Sequence, residues 1–460
     1  MQHPKVVIIG AGSFFFGRKA IWQMVHSSHL CEGTLALVDT DAGRLEKMRR
    51  LAEMAREHRG VGLKIEAATD RRQVLEGADF VVLSFADRNA YFRGVDCEVA
   101  AKYGVRMCSG DTIGPGGVMR AARELPQVLR CCEDVTSLCP QAWVINYVNP
   151  TTVHGMAIRR YYPKLRSLAL CDAQWGLRNQ FARLAEVPND EKLTILSAGP
   201  NHYTWLLKAE YDGRDLMPVI VEKLRATAEA DFNQQAQGGD KHAKGWLNNS
   251  IAIELYDAFG ILPTVLGHTK EYVPFYQGRG VSGTDRHPPL KLFEADERTR
   301  ATDAAWSQVD DFLSGKLSME EFDSRFGPDP ATDLIEGMWA RPGSRFFVNT
   351  TNHGTVPNLS EDAFIELCSE LSMDGPRPLP CPPMPRGVRG LCEQILDTHE
   401  LTAEGIHDGD LKLLRRALLT DPLTMSIGDT DAMLEELIER ERDAIDPQRY
   451  GLAPAAAAAH

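Results

Sequence analysis

Long apolar stretches are missing from this chain: the longest, residues 6–11 and 80–85, fall far short of the ~20 residues needed to cross a bilayer, which excludes a membrane-spanning helix. A basic excess is missing too. The 460 residues carry a net charge of −13, with acidic and basic side chains intermixed, which argues against a nucleic-acid partner. Ten cysteines are present, yet none shows the paired spacing of a zinc site, and adjacent Cys131 and Cys132 suit no disulfide framework; free thiols are expected. The first residues lack a basic segment followed by an apolar one, so no secretion signal is expected and the compartment is read as the cytoplasm. Internal repeats are also lacking. The alanine-rich residues 454–460 are set aside as a tail.

What is present is alternation. Residues 5–9 form a β-branched run ended by glycine, the mark of a buried parallel strand, and a helical pattern follows to about residue 25. Strand patterns recur at 35–38, 64–67, 80–85 and 143–147, with a charged amphipathic helix at 44–58. Strand and helix in turn predict an α/β fold: a Rossmann-like, doubly wound parallel sheet over residues 1–200. Beyond it the rhythm changes. Helices are expected at 216–230, 251–259, 296–313 and 430–442, a mobile polar loop at 234–244, and strands of a second sheet at 345–348 and 363–368. The Pro-rich residues 381–390 read as an edge segment. Residues 201–453 thus read as an α+β substrate and oligomerisation domain.

Gly10-Ala11-Gly12-Ser13 follows the first strand and opens a helix, with Gly17 one turn on. The first glycine permits the tight turn, the second lets a pyrophosphate approach the backbone, and the helix N-terminus faces the anion. Asp39, ending the second strand, can accept both ribose hydroxyls and would repel a 2′-phosphate, which favours NAD over NADP. A glycine-rich turn in a nucleotide-free α/β protein is the plain alternative.

Three polar pairs follow apolar runs: Asn149-Pro150, Cys171-Asp172 and Asn201-His202. Ligands of a parallel sheet bind outside the carboxyl ends of its strands, so the three can converge, and thiolate with imidazole suits a divalent transition metal. Taken singly, Cys171 reads as a small core residue, His202 as a loop histidine and Asp172 as a helix cap.

The string of motifs resembles glycoside hydrolase family 4, the NAD- and metal-dependent glycosidases. It includes Gly10–Ser13, Thr69-Asp70-Arg71-Arg72, Gly77-Ala78-Asp79-Phe80, Gly114-Pro115-Gly116-Gly117 with Arg120, Arg123 and Pro126, and Asn149-Pro150. It continues through Cys171-Asp172, the run from Gly199 to Trp205, the asparagine-rich stretch 349–352, and Asp421-Pro422-Leu423. The resemblance implies a nucleotide domain like that of lactate and malate dehydrogenases. It implies Cys171 and His202 as ligands of manganese or another divalent metal, Asn149 and Arg88 as sugar contacts, Asp172 as general acid, and Asp70 with the glycine turn and Asp39 as the NAD site. It implies a small glycoside as substrate and a homodimer or homotetramer.

The implied route is oxidation at C3 of the sugar by NAD, metal-assisted loss of the C2 proton, elimination at C1, water addition and return of the hydride. The chain departs from the phosphoglycoside members at the base, where residues 262–272 place no tyrosine at the expected position. His268, Glu271 and Tyr272 look more like members acting on free galactosides or uronides, so a non-phosphorylated α-glycoside is expected. His268 is read as the base, tuned by Asp111 or Lys102; a substrate or metal contact for His268 stays open, as do Tyr256 and Tyr272. A hydroxy-acid or sugar dehydrogenase, and an NAD-binding sensor without turnover, are the competing readings.

Overall fold

Strand β1 (Lys5–Ile9) buries both of its faces: Val7 and Ile9 join the core on one side of the sheet, Val6 and Ile8 the core on the other. An apolar run without alternation is stable only in a sheet covered on both faces. The computed structural model describes residues 3–13, 17–238, 248–278 and 285–452. In it β1 lies between β2 (Thr34–Val38) and β4 (Phe80–Leu83), with β3 (Lys64–Ala68) outside β2 and β5 (Trp143–Asn146) and β6 (Arg166–Ala169) beyond β4. All these pairings are parallel. The order 3-2-1-4-5-6 is the doubly wound arrangement expected from the sequence, with its crevice between β1 and β4.

Helices cover the two faces. Gly17–His26, Ala42–Arg59 and Pro330–Ala340 pack on the core containing Ile21, Leu51 and Leu334. Gly114–Leu138, Thr151–Tyr161 and Arg386–Asp408 pack on the other, through Leu125, Val153 and Ile395. Among the described residues no helix is long and apolar enough to cross a membrane.

The second sheet expected for residues 345–348 and 363–368 is not separate. Strands β7 (Leu193–Gly199), β8 (Trp205–Tyr211), β9 (Arg214–Asp215), β10 (Ser344–Thr351), β11 (Phe364–Ser372) and β12 (Gly375–Pro378) continue the same sheet, in the order β6-β10-β11-β7-β8-β9, with β12 on β11. The junction is antiparallel, at Asn349 against Ala169. An open edge on β6 would leave N–H and C=O groups unpaired, and β10 covers it. The parallel array therefore ends at β6, and β7 already belongs to the antiparallel half. The polar stretch expected as a loop is helical over 234–238, inside Met217–Gly238, and its remainder lies outside the described residues. So does the tail. The Pro-rich segment has no regular structure over 381–385 and then opens the helix Arg386–Asp408; the edge strand is β12. The ten cysteines are all unpaired.

Candidate active site

One lateral row of residues crosses four strands. Ala169 of β6 pairs with Asn349 of β10, Asn349 with Glu366 of β11, and Glu366 with Gly199 of β7. The chain leaves β6 through Leu170 into Cys171, and leaves β7 through Pro200 and Asn201 into His202. Two strands separate β6 from β7, and the three antiparallel pairings make β7 run against β6. That corrects the expectation of three parallel carboxyl ends: the ends meet because β10 and β11 are inserted between them.

They do meet. Cys171 Sγ lies 2.9 Å from His202 Nε2, and both side chains are buried. His202 holds a φ of 67°, a left-handed conformation costing a non-glycine residue about 1–2 kcal/mol. Its Nδ1 is 3.2 Å from Thr112 Oγ1, which also accepts a hydrogen bond from the Tyr272 hydroxyl. The His268 ring stacks on His202 at 4.1 Å and 8°. Asp111 completes the group: donor atoms of Asp111, His202 and His268 all lie within 4.8 Å of one another. The loop carrying Asp111 and Thr112 is pressed on by the helix Gly114–Leu138, where a Cβ on Gly116 would sit 2.6 Å from the Gly110 carbonyl oxygen.

Electrostatics fix the charge states. Burial alone would raise the Asp111 pKa, but Arg93 at 3.8 Å and Arg120 at 3.3 Å, with the two histidines, hold it well below the usual carboxylate range. Burial and the neighbouring His268 keep His202 neutral. Burial, then Glu366 and Asp172, push the Cys171 thiol up, so a cation would be needed to make it a thiolate. The imidazoles and carboxylate of one group, with the Cys171 thiol against His202, fit a divalent ion. The unpartnered buried atoms His268 Nδ1, Asn201 Oδ1 and Glu366 Oε1 agree with a site awaiting further partners.

At the crevice, Gly10 has a φ of 92°, and a Cβ there would sit 2.2 Å from the Ser84 carbonyl oxygen. Gly10 N and Ala11 N donate to Val38 O, and Ser13 N closes the turn onto Gly10 O at 2.9 Å. Asp39 Oδ2 accepts from Gly12 N at 2.8 Å, which ties the end of β2 to the turn. These glycines and this carboxylate fit a dinucleotide.

The other expected residues are placed as follows. Asn149, before a cis Pro150, reaches Asp111 Oδ2 at 3.4 Å and accepts from Thr151 at 2.7 Å, so it joins the group. Asp172 is exposed next to Cys171, its Oδ1 3.9 Å from the Cys171 sulfur. Asp70 is not brought to the glycine turn; it caps the turn Arg71–Gln73 and pairs with Arg72 at 2.8 Å, two strands from β1. Arg88 pairs with Asp443 at 2.5 Å and with Asp87, and lies over Phe92. Lys102 does not face His268: it is a surface residue paired with Glu436. Tyr256 is half-buried against the core, whereas Tyr272 is fully buried in the site.

Sequence reasoning missed Thr112, Arg93 and Glu366. A lone glutamate in the apolar strand Phe364-Ile365-Glu366-Leu367-Cys368 is a signal that could have been read. Glu366 is fully buried and accepts from Asn201 Nδ2 at 3.2 Å. Thr112 and Arg93 carry no such signal.

The chain is 26% identical over 453 residues to an α-galactosidase of Bacillus subtilis (strain 168), covering 95% of this chain and 98% of that one. It is 25% identical over 460 residues to an α-galacturonidase of Thermoanaerobacterium saccharolyticum, covering 96% of each. A crystal structure of a 6-phospho-α-glucosidase from gut microorganisms, in complex with NAD and Mn2+, superposes with a TM-score of 0.81 at 21% identity, over 96% of this chain and 99% of that one. Residues 5–187 match the Family 4 glycosyl hydrolase description and residues 197–424 its C-terminal domain, so the chain belongs to family 4 of the glycosyl hydrolases.

Proposed function

We propose that the protein hydrolyses a non-phosphorylated α-glycoside by an NAD- and manganese-dependent route. The observation that carries the NAD- and manganese-dependent route is the Cys171–His202 pair, at 2.9 Å, on the same sheet edge as the Gly10–Ser13 turn; the free sugar rests on the resemblance at residues 262–272. NAD supplies a reversible hydride acceptor at C3 of the sugar, and the divalent ion supplies Lewis acidity toward the C2 and C3 oxygens.

The chain's residues do the rest. The glycine turn and Asp39 hold the dinucleotide. Cys171 and His202 hold the ion, with Thr112 and Tyr272 orienting the imidazole. His268 takes the C2 proton, with the Asp111 carboxylate, fixed as an anion by Arg93 and Arg120, within 4.8 Å of its ring nitrogen. Asp172, exposed beside Cys171, delivers a proton to the leaving oxygen. Asn149 hydrogen-bonds the sugar. Arg88 reaches the substrate only by leaving Asp443. A metal-ligand role for His268 is the second reading, favoured by its unpartnered Nδ1 and its stacking on His202. We place the protein in the cytoplasm, as a homodimer or homotetramer.

The test is nitrophenol release from p-nitrophenyl glycosides with and without NAD and Mn2+. Release that needs both, without net NADH, is expected. Accumulating NADH would replace this route with a dehydrogenase.

A further inference from the structure

After Cys171 the chain makes a single 3-10 turn, Asp172–Gln174, closed by Trp175 N onto Asp172 O at 3.1 Å. Side chains three residues apart eclipse in such a turn, so Cys171 shares one side with Gln174, and Asp172 shares another with Trp175. Burial follows that period. Cys171 and Gln174 are buried, and Gln174 accepts from Ser197 and Thr264; Asp172 and Trp175 are exposed. An indole 42% open to solvent therefore stands on the same side as the carboxylate that delivers the proton in the route above.

The ring is held at its edge. Trp175 Nε1 donates to Asp333 Oδ2 at 3.2 Å, and Asp333 accepts from Arg341 at 2.7 Å. Asp333 belongs to the helix Pro330–Ala340, so the indole is braced across two elements. A ring fixed in this way loses little freedom when a ligand lies against it. Its surroundings are polar: the other exposed side chains of residues 172–185 are Asp172, Asn179 and Arg183. A protein partner would need contiguous apolar surface, which this stretch lacks. A single ring among hydrogen-bonding groups suits a pyranose, whose axial C–H bonds form an apolar face and whose hydroxyls line its edge.

We propose that Trp175 is the platform of a leaving-group subsite, on which the sugar ring attached through the glycosidic oxygen stacks. This rests on the glycosidase reading above and assigns a residue to the departing half of the substrate. As the C1–O bond breaks, its electron pair stays with the oxygen and the Asp172 proton completes the released hydroxyl. The ring on Trp175 keeps that oxygen beside the acid.

The test varies the leaving group on three sugars. With NAD and Mn2+, the protein is given methyl α-galactoside, α-glucoside and α-galacturonide, and the matching disaccharides melibiose, maltose and α-1,4-digalacturonate. Each variant is scored by its kcat/KM relative to wild type, so the intrinsic reactivity of the leaving groups cancels. Trp175→Ala should lower kcat/KM on the cleaved disaccharide by about tenfold, chiefly through KM, and change the methyl glycoside by less than about twofold. Calorimetric NAD and Mn2+ affinities should also stay within about twofold, which separates recognition from misfolding. Trp175→Phe, which keeps a ring without the bond to Asp333, should recover part of the loss. Equal losses on both substrates, no loss on the disaccharide, or cleavage of methyl glycosides alone overturns the proposal and leaves the glycosidase intact. A lower sedimenting mass for Trp175→Ala, with the disaccharide preference unchanged, gives this face to a second copy of the chain and overturns it too. Cleavage of no substrate by the wild type, with NAD bound, overturns both readings together.

Discussion

The glycine turn after β1 and the Cys171–His202 pair occupy one edge of the same sheet and are built in opposite ways. The turn is backbone: the N–H groups of Gly10, Ala11 and Ser13 close it onto main-chain carbonyls, and Asp39, which ends the neighbouring strand, braces it by accepting from Gly12 N. The pair is side chain, assembled from residues as far apart as Asp111 and Glu366, and held in place by strands that enter the sheet late in the chain. A backbone site tolerates changes of side chain and fails when a Cβ is added where none fits. A side-chain site fails when one donor is removed and is indifferent to the backbone elsewhere. If the two are separable in this way, each can be destroyed with the other left standing.

The largest effect should come from the side-chain centre. Cys171→Ala removes one of two facing donors and should lower hydrolysis at least about a thousandfold, the scale of losing Lewis-acid stabilisation. Calorimetry should show Mn2+ binding lost, with NAD affinity changed by less than about twofold. Parallel loss of NAD binding would break the comparison, because the two sites would then be one coupled unit. Gly10→Ala is the reciprocal change. Its Cβ would meet the Ser84 carbonyl oxygen at 2.2 Å on a backbone already at a φ of 92°. Strain of about 1–3 kcal/mol corresponds to roughly a ten- to hundredfold loss of NAD affinity, with Mn2+ binding kept. Gly12→Ala, whose Cβ would press on Asp39 Oδ2 at 2.7 Å, should act in the same direction.

The same contrast governs what could be read from the sequence. The strands Lys5–Ile9 and Thr34–Val38 were legible almost to the residue, because a doubly buried parallel strand is a local apolar run bounded by turn residues. The glycine turn was legible for the same reason. The fusion of β10 onto β6 was not: it rests on one bridge, Asn349 to Ala169, and nothing in either segment names its partner. Cys171 and His202 were singled out by motif, and their 2.9 Å approach depends on that fusion. Lys102 and Tyr272 show the cost of judging side chains from sequence alone. The lysine faces Glu436 on the surface, whereas the tyrosine is buried against Thr112 beside His202.

The smallest effect concerns the residue that joins the two halves. Glu366 sits in the row between Asn349 and Gly199, and burial raises its pKa from 4.5 to about 7, against its hydrogen bond from Asn201. The folded state thus holds a proton that the unfolded chain has already released above pH ~5, so stability should fall as pH rises from about 5 to about 7 and level off above it. A shift of this size is worth roughly 3 kcal/mol at most. Glu366→Gln keeps the shape and an acceptor for Asn201 but cannot ionise. Thermal unfolding with chelator present, so that metal does not enter, should show the wild type losing stability over that range more steeply than the variant. Equal slopes would mean that Glu366 is ionised at pH 5 in the folded protein. Its carboxylate would then be a standing negative charge near Cys171, and the side-chain centre would hold two anions, Asp111 and Glu366, where the raised pKa leaves one.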